Sequence, residues 1–280
     1  MTGSDKIRIG VFDSGFGGLT VLRALLPQIP SAEFFYLGDT ARLPYGSKSQ
    51  ATVARYAVES AQLLESYGAD YLVIACNTAS ALALDAIKSA AHVPVLGVIE
   101  TGADSAAAAS TTRDVLVLAT QATVDSHAYA CACAAHGLRS IEKACPLLVP
   151  LIEEGWVDSP VTREVLRIYL EQAQADATSA GMALDTVLLG CTHYPLLRAL
   201  LQETLPKDVT ILDSAESTAQ RVRRELKSLK SLPAGTPRED DSNAAVCHFF
   251  ATDSVEKFRT LGSRFLGRPI EKVELIDLGG

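Results

Sequence analysis

Short β-type runs alternate with longer helix-type stretches along almost the whole chain, and that alternation is the tightest constraint on how it folds. Such a succession satisfies its backbone by pairing strands in parallel and crossing between them with helices. A first strand is expected at 7–12 (IRIGVF), then a glycine turn and a helix LTVLRALL that Pro27 ends. Next come a strand at 33–37, the loop GDTARLPYG, and a helix over 49–67 with Gly68 at its C′ position. YLVIA (71–75) reads as a buried strand, 79–90 as a helix and PVLGVI (94–99) as a strand.

A second system of the same kind is expected from near Thr101. It has the strand DVLVLA (114–119), helices around 123–136 and 161–176, and the strand DTVLLG (185–190). Beyond VTILD the chain is expected to form a helix over 214–230, a polar surface loop over 231–243, the strand AVCHFFA, a helix and a last strand KVELID. The predicted fold class is therefore α/β: two similar doubly wound parallel-sheet domains, with an active site in the cleft between them. Residues 1–99 plus 211–280 are assigned to a discontinuous first domain and 100–210 to the second; 280 residues suffice for two separate cores.

Charge and composition narrow the partners. Lys plus Arg number 25 against 33 Asp plus Glu, a net charge of −8, and no basic run tracks a phosphate backbone, so nucleic acid is a poor partner. No apolar stretch reaches the roughly 18–20 residues a bilayer needs, and MTGSDKIRIG lacks the apolar segment of a signal peptide, so membrane and export are disfavoured. The six cysteines then read as free thiols of a reducing cytoplasm. His127, Cys131, Cys133 and His136 are close in sequence, but Cys131 and Cys133 would sit about 200° apart on a helix. No metal site is predicted from them. A homodimer is the expected assembly.

Two runs share one plan. YLVIACNTASALAL and TVLLGCTHYPLLRAL each give a buried strand, a small residue, a cysteine, polar residues including a threonine, and then a helix. Cys76 and Cys191 thus fall at the carboxyl edges of parallel strands, where open α/β sheets bind ligands. Helix N-termini there attract anions and favour thiolate. A lone cysteine at a strand end is commonly a small core residue; two on matching edges point to a shared cleft. Paired acid/base groups suit removal of a proton from one side of a tetrahedral carbon and delivery to the other, that is, racemisation or epimerisation. A hydrolase with a single nucleophilic cysteine and His193 as its base remains open on this ground alone.

The stretch VFDSGFGG sets Asp13 and Ser14 at the end of the first strand. It is no dinucleotide fingerprint, because Thr20 stands where the third glycine of G-x-G-x-x-G would be, and there is no P-loop. Asp13 and Ser14 read equally as helix caps or as groups that orient an ammonium or tune a thiol. No motif for pyridoxal phosphate is visible and no cofactor is predicted, although spacing leaves a Schiff-base lysine open.

The runs FDSGFGGL (12–19), LGDTARLPYG (37–46), ACNTAS (75–80), CPLLVPLIE (145–153) and GCTHYP (190–195), in that order, resemble glutamate racemase. The resemblance implies a cofactor-independent enzyme that supplies D-glutamate for peptidoglycan, with glutamate as its small-molecule partner. It implies that Cys191 deprotonates L-glutamate and Cys76 the D-enantiomer. Asp13 would assist the first thiol, and His193 and Glu153 the second. Substrate contacts implied are Asp13, Ser14, Tyr45, Gly46, Asn77, Thr78, Thr192 and His193, with Thr120 and Thr123 of ATQAT lining the cleft. Glu153 and Glu154 are adjacent, and either could face the site. Alternatives are a related racemase acting on aspartate or a hydantoin, or a non-catalytic amino-acid binding protein closing two lobes on its ligand.

Overall fold

In the computed structural model, which describes residues 6–229 and 245–278, buried apolar runs set the strands and amphipathic stretches the helices that cover them. The chain begins β1 (Arg8–Asp13), α1 (Leu19–Gln28), β2 (Glu33–Gly38), α2 (Gln50–Ser66), β3 (Tyr71–Ile74), α3 (Asn77–Ala90), β4 (Val95–Gly97) and α4 (Ile99–Ala109). It continues through β5 (Asp114–Ala119), α5 (Gln121–Asp125), α6 (Ala128–Ala135), β6 (Arg139–Ala144), α7 (Leu148–Glu153), α8 (Pro160–Ser179) and β7 (Thr186–Gly190). Then follow α9 (Arg198–Thr204), β8 (Thr210–Asp213), α10 (Ala215–Ser228), β9 (Val246–Ala251), α11 (Val255–Leu266) and β10 (Glu274–Leu275).

Among the described residues all strand pairs are parallel. The first sheet has the order β10-β9-β2-β1-β3-β4 and the second β6-β5-β7-β8, which bears out the expected fold class. β8 pairs with β7, so the chain returns to the first sheet only after Asp213, and the boundary drawn at 210/211 cuts β8. Each sheet has an apolar cluster of its own, around Leu72 and Ile74 in the first and Val115 and Leu188 in the second, and a third joins the two. This third cluster runs from Ile9 and Val11 of the first sheet to Leu116 and Val187 of the second, with α10 packed against both α1 and α4. Among the described residues no helix is long and apolar enough to cross a membrane.

Local differences from the sequence reading have identifiable causes. Pro27 lies inside α1, because in a last turn it removes one helical bond while the Ile29 N–H still closes on the Leu25 carbonyl at 3.0 Å. The helix expected over 123–136 is two, parted at His127, whose φ of 53° is left-handed. Edge strand β6 was not anticipated, since RSIEKA is mostly half-exposed and carries no apolar run. β4 is three residues long and gives way at once to α4, and β10 spans only two of the six residues of KVELID. The polar loop predicted at 231–243 lies outside the described residues.

Candidate active site

The carboxyl ends of β1, β3, β5 and β7 meet around a cavity of about 420 Å³. Cys76, at the end of β3, and Cys191, at the end of β7, both line it, although they belong to different sheets. Ser14, Tyr45, Gly46, Asn77, Thr78, Thr120, Thr192, His193 and Glu153 line it as well. A space of this size matches the range of small-ligand pockets.

Cys76 is the N-cap of α3, and its sulfur accepts the Ala79 N–H at 3.4 Å. The thiol donates to Ser14 Oγ at 3.5 Å. Burial, then the charge of the neighbouring Asp13 carboxylate, push this thiol up to about 12, so it carries its proton at neutral pH. Asp13 is fully buried, and burial raises its carboxyl above the usual range against the pull of His193. Its oxygens accept the Gly15 N–H at 2.9 Å and the Thr192 hydroxyl at 3.4 Å. The carboxylate therefore stands behind Ser14 and Thr192, which line the cavity in front of it.

The second thiol has different company. Cys191 Sγ lies 4.0 Å from His193 Nδ1, His193 Nε2 lies 3.2 Å from Glu153 Oε1, and Glu153 Oε2 lies 3.2 Å from Lys257 Nζ. Burial by itself would lower the imidazole, but its bonds to Cys191 and Glu153 outweigh that and hold it up at about 10. Burial likewise works to raise Glu153, while His193 and Lys257 together bring it below the ordinary carboxylate range. His193 is thus an imidazolium at neutral pH, paired with an ionised carboxylate. Glu153 ends α7 and turns inward to His193, while Glu154 is exposed on the cavity rim; this settles which of the two meets the histidine. His193 makes no side-chain cap; a single 3-10 turn, Tyr194–Leu197, separates Cys191 from α9.

Around these corners the polar groups form a hydroxyl cluster: Thr78 Oγ1 is 3.0 Å from Thr120 Oγ1 and 3.3 Å from Thr123 Oγ1. Thr123 is fully buried behind the other two and does not line the cavity. Tyr45 lines the cavity, and its hydroxyl donates to Asp39 Oδ2 at 2.5 Å, an oxygen that also accepts from Arg42 Nε at 2.7 Å. Gly46 is required by proximity, since a Cβ there would fall 2.8 Å from that of Thr120. Gly17 is required likewise, its absent Cβ lying 2.2 Å from Thr192 Oγ1 and 2.6 Å from His193 Nδ1. Sequence reasoning missed Gln121, Pro146, Val149 and Pro150 on the cavity wall, and Lys257 behind Glu153. ATQAT and CPLLVPLIE bracket the first four, whereas nothing local marks Lys257.

Among the described residues no group of three His, Cys, Asp or Glu is arranged to hold a metal ion. Cys131 is exposed and Cys133 buried, while His127 meets Glu142 and His136 meets Asp104, each at 3.0 Å.

The sequence model of the Asp/Glu/Hydantoin racemase family matches residues 18–222. A glutamate racemase from Koribacter versatilis is 52% identical, over 97% of this chain and 98% of its own. The crystal structure of glutamate racemase from Francisella tularensis in complex with D-glutamate aligns with a TM-score of 0.86 at 33% identity, covering 98% of both chains. That from Thermus thermophilus, in complex with β-chloro-D-alanine, aligns at 0.83 with 43% identity over 99% of both. The chain belongs to the Asp/Glu/hydantoin racemase family, and within it to the glutamate racemases.

Proposed function

We propose that this family member, an amino-acid racemase and so an isomerase, acts on glutamate, interconverted between L and D forms without a cofactor by Cys76 and Cys191 acting as paired acid and base. The observation that carries this reading is the opening of both thiols, one from each sheet, into the same cavity. In the L-to-D direction Cys191 thiolate takes the Cα proton, and Cys76, protonated at neutral pH, delivers its own to the other face. The reverse direction exchanges the roles. The imidazolium of His193 places positive charge beside the Cys191 sulfur that must bear a negative one. On the other side burial first, and the neighbouring Asp13 carboxylate second, keep the proton on Cys76 until transfer.

Substrate carboxylates need donors, and the amide of Asn77 and the hydroxyls of Thr78, Thr120 and Thr192 supply them at the cavity wall. The Tyr129 hydroxyl donates to Asn77 Oδ1 at 2.6 Å, which leaves the Asn77 N–H groups for an anion. Electron density from the broken Cα–H bond moves onto the α-carboxylate, so donors already in place at that group lower the barrier. The product, D-glutamate, is a component of peptidoglycan, and we assign the protein to that supply.

Incubation of purified protein with L-glutamate in D₂O, with no added cofactor, is expected to abolish optical rotation and to label the α-position. Retained rotation with no label uptake defeats the reading. A panel containing aspartate and hydantoins is expected to leave glutamate the preferred substrate.

A further inference from the structure

The helix α11 belongs to the segment that returns to the first sheet, flanked by β9 and β10 and packed against α1. It nevertheless touches the His193–Glu153 pair beside Cys191 of the other sheet twice. Lys257 Nζ stands 3.2 Å from Glu153 Oε2, and one face further along, the Phe265 ring meets His193 edge-on at 5.1 Å between centroids. Leu261, buried between them at the same helical spacing, anchors that face. Lys257 Nζ also lies 5.8 Å from the centroid of Phe16, in the turn that follows Asp13.

We propose that Lys257 is a positioning residue for one half of the reaction: it holds the Glu153 carboxylate against His193, and so serves proton transfer at Cys191 but not at Cys76. The proposal rests on the two-thiol reading above. Each Glu153 oxygen has its own partner, Oε1 the imidazole and Oε2 the ammonium. With the ammonium gone, the carboxylate is free to rotate about its terminal torsion, and its geometry towards His193 is no longer held from both sides. Among the described residues Cys76 has no counterpart to this arrangement; its neighbours there are Ser14, Asp13 and the first turn of α3. The lysine side chain is 46% exposed, so its role is orientation more than ion-pair strength, which solvent screens.

At an equilibrium constant of one, kcat/KM must stay equal in the two directions whatever is mutated, so a one-sided effect has to be read from isotope effects. In the full-length protein, Lys257→Met is expected to lower kcat about tenfold with KM little changed. The primary α-deuterium isotope effect on kcat/KM is expected to rise for L-glutamate and to fall towards unity for D-glutamate. Raising only the barrier at Cys191 makes that one transfer limiting. Lys257→Arg, which keeps a donor and a charge, is expected to restore both isotope effects and most of kcat. Isotope effects that stay as in the parent, or that change alike for both enantiomers, overturn the proposal, and so does failure of arginine to rescue. If the parent protein shows no racemisation, it is the two-thiol reading that falls; if the parent racemises with the expected isotope effects, the variants judge Lys257 alone.

Discussion

The two cysteine corners are written with the same plan and built with different parts. Cys76 caps a 14-residue α-helix and sits beside a buried carboxylate and a hydroxyl. Cys191 leads into a short 3-10 turn and faces an imidazolium, behind which stand a carboxylate and an ammonium. The first surroundings hold a proton on sulfur; the second set a positive charge beside it. In the mechanism we propose, the two sulfurs work on opposite faces of one carbon, each as base in one direction and acid in the other, so mirror-image chemistry would run on unlike companions.

The comparison is broken most severely by removing either sulfur. Cys76→Ala and Cys191→Ala are each expected to lose at least about 10³-fold in racemisation. The residual chemistry should differ: the Cys76 variant still exchanges the α-proton of L-glutamate with D₂O, the Cys191 variant that of D-glutamate. Proton NMR of the α-signal for each enantiomer checks this, and exchange of the wrong enantiomer would reverse the assigned faces.

A smaller loss is expected from Gly17→Ala, which leaves both thiols in place. The added methyl would meet Thr192 and His193 and force the Cys191 corner away from the first sheet, at a cost of about 10²-fold in kcat. Unchanged kinetics would mean that the corner tolerates displacement.

The electrostatic half of the comparison can be read from stability. His193 is held at about 10 against an ordinary value of 6.5, so its charged form is favoured by folding. That contribution is fully present below pH 6.5 and is lost as pH rises through about 10. Thermal unfolding is expected to show a Tm that declines across this window, and a shallower decline in His193→Gln. Equal slopes in both proteins would remove the imidazolium from the account. The smallest effect is expected at Thr123→Val, about twofold in KM by steady-state kinetics, since this hydroxyl supports Thr78 and Thr120 from behind.

Much of the site was legible because its residues lie within two or three positions of a strand end. FDSGFGG, ACNTAS and GCTHYP each carry a thiol or its neighbour on one short turn, so local spacing and resemblance sufficed to name Cys76, Cys191, Asp13, Ser14, Asn77, Thr78, Thr192 and His193. Roles that depend on which way a side chain points were not legible. Asp13, Thr123 and the Tyr45 hydroxyl belong to the same motifs, yet all three turn to protein partners. In the fold, β6 escaped notice because an edge strand needs no apolar run, and the break at His127 because one left-handed residue leaves the helical composition unchanged.

Alternation of apolar strands with amphipathic helices determined, from the chain alone, that parallel sheets would form and that both cysteines would stand at their carboxyl edges, because strand period and helix period are properties of neighbouring residues. Only the tertiary structure decided that β8 stays with the second sheet, that one apolar cluster joins the two, and that Lys257 reaches Glu153 across 104 positions of sequence. Those contacts are made between surfaces brought together by packing, and no short stretch of residues carries the information for both partners.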